Sequence, residues 1–94
     1  MRLWGSRRRR AAVDNALAAY RQWSHECGAV SIAYQAWRMA TELDEPAAFD
    51  AYSSALNREE AAANLYARSI RRAQRLVETG LALQLAPTQA GFGA

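Results

Sequence analysis

The sequence predicts an all-α protein, a long antiparallel two-helix hairpin with coiled-coil-like packing. Large apolar residues recur at alternating spacings of three and four in two long segments, which is the heptad pattern of paired helices. The segment Leu43-Asp-Glu-Pro46 separates the two. The chain has 94 residues, of which 51% are hydrophobic and 22% are charged, so it can bury one core and no more.

The first predicted helix covers residues 8–43. Within it, Ala19-Tyr-Arg-Gln-Trp23 is echoed by Ala33-Tyr-Gln-Ala-Trp37, which places a Tyr and a Trp twice on the same helix face. We interpret this echo as a packing repeat. The predicted seam of this helix consists of Val13, Ala16, Tyr20, Trp23, Cys27, Val30, Tyr34 and Trp37.

Gly28 is the weak point of this first helix, because glycine costs about 1 kcal/mol relative to alanine in a helix interior. A break at Gly28 would give a three-helix protein. The heptad phase continues through Gly28 without a reset, which favours one long helix.

The turn is predicted at residues 44–46, because aspartate caps helix starts and proline is tolerated in a first helical turn. The second helix then covers residues 47–79, and Gly80 is predicted to end it. A connection this short makes the two helices antiparallel neighbours. The hairpin thus covers residues 8–80, between a basic arm at 1–7 and an apolar tether with a loose tail at 81–94. The seam of the second helix consists of Phe49, Tyr52, Leu56, Ala63, Tyr66, Ile70, Ala73 and Val77, with Glu59 as its charged member.

Two helices cover only one side of each other, and Leu17, Leu65 and Leu76 fall outside the predicted seam. The sequence therefore predicts an apolar surface that a second copy or another protein covers, which would complete a four-helix bundle. We expect a non-enzymatic protein-protein interaction protein, such as a homodimer, or a small accessory subunit of a larger assembly.

Residue types suited to catalysis or metal binding are scarce. The single histidine, His25, and the single cysteine, Cys27, are two positions apart on a helix and point to different faces, so they form no dyad. Helical bundles that bind two iron ions use Glu-x-x-His, and this spacing does not occur in the sequence. We therefore expect no enzymatic activity, no metal site and no cofactor.

All 12 basic residues are arginines, and most of them meet at the open end of the predicted hairpin. Facing positions have residue numbers that add to about 90, so the run at residues 7–10 lies beside the end of the second helix. Arginines at a helix start oppose the helix dipole, which indicates that they serve a partner. The alternative function is therefore binding of nucleic acid or of an anionic membrane surface. The candidate anion-binding residues are Arg7, Arg8, Arg9, Arg10, Arg68, Arg71, Arg72 and Arg75.

No segment approaches the roughly 18 apolar residues of a transmembrane helix, and no complete signal peptide precedes the first helix. A single cysteine is compatible with a reducing compartment. We therefore expect a cytoplasmic protein. Its alanine-rich composition, with arginine as the sole basic residue type apart from histidine, is typical of small proteins from GC-rich bacterial genomes.

Overall fold

Two long helices joined by a short turn make up the structure, as the sequence predicts. The computed structural model describes the backbone of residues 2–93 and the side chains of residues 5–83. Helix α1 covers Arg2–Arg38 and helix α2 covers Glu45–Gly93, and residues 2–93 contain no strand. The helices pack against each other in antiparallel fashion, and the molecule measures 78 × 21 × 13 Å. The fold is therefore one layer of two helices.

Helix α1 continues through Gly28 without interruption, so the prediction of one long helix is confirmed and the three-helix alternative is wrong. Gly28 is exposed, and a Cβ atom built on it would have no heavy atom within 4 Å. The glycine has no packing role there, and it lowers the intrinsic helix propensity of α1.

The turn lies at residues 39–44, earlier than the predicted 44–46. The first helix therefore ends at Arg38 instead of residue 43, and the second begins at Glu45 instead of residue 47. The prediction that Pro46 lies in the first turn of the second helix is confirmed. Proline is tolerated there because the first N–H groups of a helix have no partner within the helix.

Hydrogen bonds around Thr41 close the turn. The Thr41 carbonyl oxygen accepts hydrogen bonds from the backbone N–H of Asp44, at 3.0 Å, and of Glu45, at 2.8 Å. The Thr41 hydroxyl donates to Oδ2 of Asp44 at 3.1 Å. The Asp44 carbonyl then accepts from the N–H of Ala48 at 2.9 Å, so Asp44 is the residue from which α2 starts. The turn is therefore held by hydrogen bonds among its own residues and the first residue of α2.

Both helices also extend further than predicted at the open end. Helix α1 starts at Arg2 instead of residue 8, and α2 continues past Gly80 to Gly93. Gly80 is therefore not a helix-ending residue. A Cβ atom on Gly80 would lie 2.8 Å from a guanidinium nitrogen of Arg9, so the glycine allows the Arg9 side chain to cross the α2 backbone. A glycine chosen for close approach and a glycine chosen to end a helix look alike in sequence.

The seam between the helices is built mainly from alanine and aromatic residues. Among residues 5–83 the buried hydrophobic residues are all alanines, and Ala55 is the most buried of them at 1% exposure. Buried and half-buried positions recur at alternating spacings of four and three along both helices. The seam consists of Ala12, Ala16, Ala19, Trp23, Glu26, Val30, Ala33, Trp37 and Ala40 on α1, and of Ala48, Tyr52, Ala55, Glu59, Ala62, Tyr66, Ser69, Ala73 and Leu76 on α2.

The predicted seam is correct at every second position and wrong by one residue at the others. Trp23, Trp37, Tyr52 and Tyr66 lie in the seam as predicted, together with Val30. Ala16, Glu59 and Ala73 also lie in the seam as predicted. The other predicted members lie on the flank of the seam, because the residue before each of them is the one that faces the other helix. A shift of one residue rotates a side chain by about 100° around the helix. Alanines face inward because their short side chains let the backbones approach closely. The residues on the flank are Val13, Tyr20, Cys27, Tyr34, Phe49, Leu56, Ala63, Ile70 and Val77.

Candidate interaction face

Two aromatic clusters join α1 to α2. In the middle cluster, Trp23 stacks on Tyr66, with 5.6 Å between ring centroids and 17° between ring planes. Tyr20 contacts the same Tyr66 ring at 5.5 Å. Such aromatic pairs contribute about 0.5–1.5 kcal/mol each beyond the area that they bury. The middle cluster therefore fixes the two helices near the centre of the hairpin.

The turn cluster repeats this arrangement beside the turn. Trp37 stacks on Tyr52 at 5.5 Å and 11°, and Tyr34 contacts Tyr52 at 5.5 Å. Phe49 adds a further ring, 5.3 Å from Trp37. The sequence echo therefore corresponds to two matching Tyr-Trp contacts with α2.

Polar contacts lie between the two clusters. The indole N–H of Trp23 donates to Glu59 Oε1 at 2.8 Å. Glu26, only 8% exposed, accepts a hydrogen bond from Gln22 at 2.8 Å and pairs with the guanidinium of Arg58 at 3.3 Å. Both carboxylates are therefore satisfied within the hairpin, and a shift in helix register would leave them without partners.

Large apolar side chains on one flank of the seam form what we call the apolar face. The exposed side chains of the apolar face range in exposure from 38% for Tyr34 to 51% for Leu17. Each of these side chains thus leaves a substantial part of its surface in water, at a cost of about 25 cal/mol per Å². The apolar face consists of Val13, Leu17, Tyr20, Tyr34, Phe49, Leu56 and Val77, with the half-buried Ile70 among them.

An open groove of about 590 Å³ lies at the end of the apolar face away from the turn. Its walls are mainly apolar and come from both helices. A second depression of about 330 Å³ continues it toward Gly80 and Leu81. The groove is lined by Val13, Ala16, Leu17, Tyr20, Tyr66, Ile70, Ala73, Gln74, Val77 and Glu78.

The opposite flank of the seam has a different composition. It carries small or polar residues with one large apolar exception, Leu65, which is 47% exposed. The two-helix layer is therefore amphipathic as a whole, with one apolar side and one polar side. This flank consists of Asn15, Gln22, Ala29, Ala36, Ala51, Arg58, Leu65 and Arg72.

Sequence reasoning predicted exposed apolar surface but underestimated it. Of the three residues expected to remain outside the seam, Leu17 and Leu65 are exposed and Leu76 is half-buried in the seam. Most of the apolar face consists of residues that were predicted to lie between the helices. The signal that could have located it is the alanine that precedes each of several large flank residues, as at Ala12-Val13, Ala19-Tyr20 and Ala55-Leu56.

The candidate anion-binding arginines lie at the open end, as predicted. All of them are exposed except Arg9, which is half-buried against Gly80. Among the residues whose side chains the structure describes, the ion pair of Arg58 with Glu26 is the only one formed. The eight candidates are thus not neutralised by carboxylates of residues 5–83, and the side chains of all but Arg9 are exposed to water.

Charge is divided unevenly between the two ends of the hairpin. Residues 25–62, which form the half nearer the turn, carry two arginines and seven carboxylates. The remaining residues, 1–24 and 63–94, carry ten arginines and two carboxylates. The turn half is therefore strongly negative and the open half strongly positive.

Groups suited to metal binding or catalysis do not assemble in the described part of the chain. No three His, Cys, Asp or Glu residues come together there in a way that could hold a metal ion. His25 is exposed, and Cys27 is half-buried with a free thiol. The absence of enzymatic activity stays a prediction.

Comparisons with protein-family models, curated proteins and solved structures gave no match to this chain. Across the described residues, neither helix has a stretch of the length and apolarity needed to cross a membrane. Among the features of residues 5–83, the apolar face points most directly to a function.

Proposed function

We propose that this chain is a non-enzymatic protein-protein interaction module that works through its apolar face. The observation that carries the proposal is the concentration of large exposed apolar residues on one side of a two-helix layer. Soluble proteins rarely leave such contiguous surfaces uncovered, and those that do use them as interaction sites. Tyrosine and phenylalanine, which this face contains, are enriched at such interfaces.

The size of the apolar face supports this function. From Phe49 to Val77 the face extends about 42 Å along α2, at a rise of about 1.5 Å per residue. The layer is 21 Å wide. A partner that covers this rectangle buries on the order of 800 Å² of the chain, which is the area that each partner contributes to a stable protein-protein interface.

The occupant that suits a two-helix layer is another pair of helices. Two such layers packed face to face form a four-helix bundle, in which each helix is covered on two sides. A homodimer provides this arrangement, and so does a helical subunit of a larger assembly for which the chain is a small accessory protein.

Photocrosslinking in cells that express the chain tests the proposal. Benzoylphenylalanine replaces Leu56, which is 39% exposed on the apolar face, or Leu65, which is 47% exposed on the opposite flank. We expect covalent protein adducts from position 56 and few from position 65. Because both are exposed leucines of α2, the comparison controls for accessibility. Absence of adducts at position 56, or equal yields at both positions, would contradict the proposal.

A second candidate function is binding of nucleic acid or an anionic membrane surface through the open end. It is favoured by the sequence of this half of the chain, which contains ten arginines and two carboxylates. Binding of this kind weakens steeply as salt rises, because it releases counterions. We expect replacement of Arg71, Arg72 and Arg75 by glutamine to abolish binding to DNA, RNA or acidic vesicles at low salt, whereas Arg38→Gln near the turn leaves it unchanged. Equal binding by all variants would reject this candidate.

A further inference from the structure

We infer that the partner on the apolar face is a second copy of this chain, which lies antiparallel to the first so that the two turns are at opposite ends. This inference rests on the proposed interaction function and adds the identity and orientation of the partner. Three features of the hairpin support it: its charge distribution, the symmetry of its apolar face and the shape of that face.

Charge distribution favours turns at opposite ends. In that orientation, the negative turn half of each copy lies over the positive open half of the other. With both turns at the same end, seven carboxylates would face seven carboxylates and ten arginines would face ten arginines. Charges of the same sign at close range raise the free energy of an interface, and opposite charges direct the approach of the partners. The hairpin is thus electrostatically complementary to its own reversed copy.

The apolar face is also symmetric about one level of the hairpin. On α1 the face extends from Val13 to Tyr34, and its midpoint lies near Ser24. On α2 it extends from Phe49 to Val77, and its midpoint is Ala63. Ser24 and Ala63 lie at about the same height, since the neighbouring residues Trp23 and Tyr66 stack on each other.

Consider a two-fold axis that lies perpendicular to both helices at this level. It places the apolar-face residues of each helix over the apolar-face residues of the same helix in the second copy. Rotation about it places α1 against α1 and α2 against α2, each pair antiparallel. Phe49 of one copy then lies over Val77 of the other, and Leu56 lies over Ile70. A two-fold interface of this kind needs a self-complementary surface, and the apolar face has one.

The shape of the face fits the same orientation. Its turn end is bulky, with the rings of Tyr34 and Phe49, whereas its open end has the groove of about 590 Å³. In the reversed copy these rings lie over the groove and fill it. With both turns at one end, ring clusters would face each other and two grooves would enclose an empty space, which costs packing energy. Small residues near the centre, Ser24 and Ala63, let the layers approach.

Light scattering and pulsed electron-spin spectroscopy on the full chain test both parts of the inference. The chain carries a nitroxide label at Met39→Cys, in a Cys27→Ala background, since Met39 is 83% exposed beside the turn. We expect twice the monomer mass of 10.4 kDa. Met39 lies 15 positions from Ser24, and in the reversed copy it lies equally far on the other side of the two-fold axis. At 1.5 Å per residue, the two labels are therefore expected about 45 Å apart. If the turns lie together, the labels come within about 25 Å, because packed helices are about 10 Å apart.

A pair of leucine variants shows whether the apolar face is the interface. Leu56→Glu is expected to weaken dimer formation at least tenfold and to reduce the measured mass to that of one chain, whereas Leu65→Glu on the opposite flank leaves the dimer intact. Circular dichroism establishes that both variants remain helical. A dimer that persists with Leu56→Glu would overturn the inference.

The outcomes separate this inference from the proposed function. A dimer with labels about 45 Å apart supports the inference, and a dimer with labels within about 25 Å overturns the orientation. A monomer whose position 56 crosslinks to a different protein overturns self-association while the interaction function stands. A monomer without crosslinks overturns both.

Discussion

Replacement of Ala55 by leucine tests the alanine seam directly. Ala55 is 1% exposed, so the added carbon atoms of leucine must be accommodated between the two helices. Overpacking of this kind costs about 1–3 kcal/mol, because the helices must move apart and the neighbouring aromatic rings lose contact. For a domain of this size, that loss lowers the midpoint of thermal unfolding by on the order of 10 °C.

Urea unfolding followed by circular dichroism measures this loss, with all variants at one protein concentration because association contributes to stability. Ala51→Leu is the matched control, since Ala51 is an exposed alanine one turn earlier in the same helix. Leucine and alanine both favour helix, so the control is expected to change the free energy of unfolding by less than about 0.5 kcal/mol. Equal stability of the two variants, or a greater loss at Ala51, would refute the seam described here.

Further predictions concern the glycines and the indole groups. Gly28→Ala is expected to raise the free energy of unfolding by about 1 kcal/mol, because the position is open and helical. Gly80→Ala is expected to raise it less, since an arginine side chain must move away. An equal gain for both variants in urea unfolding would contradict the close approach at Gly80. Trp23→Phe keeps the stacked ring but removes the hydrogen bond to Glu59. It is expected to lower the free energy of unfolding by about 1 kcal/mol more than Trp37→Phe does. Trp37 also stacks on a tyrosine, but its indole N–H has no protein partner among the described residues. Equal losses for the two variants in urea would show that this hydrogen bond does not contribute.

Several elements of the fold could be predicted because their signals are local and strong. The heptad spacing predicted two helices, its unbroken phase predicted continuity through Gly28, and the short connection predicted antiparallel packing. The bounds were less accurate. The turn includes the hydrogen bonds of Thr41, and Gly80 makes room for the Arg9 side chain of the other helix. Neither contact can be recognised from spacing alone.

For the candidate site, the sequence indicated that apolar surface remains exposed but not where most of it lies. Two adjacent positions in each heptad carry apolar residues, such as Ala55 with Leu56, and either can be placed in the seam without changing the period. Because a larger apolar residue buries more surface, the larger residue of each pair was predicted to lie in the seam. In the structure the smaller one is buried, because the helices approach more closely with alanine between them.

The sequence by itself determined the number of helices, their antiparallel order, the aromatic repeat and the separation of charge, since all of these follow from spacing along the chain. Only the tertiary structure decided which side of each helix faces inward. That choice depends on how closely the two backbones approach, and the approach is limited by side chains of both helices together. The apolar face and its groove result from this rotation, and they are the surfaces on which the proposed function depends.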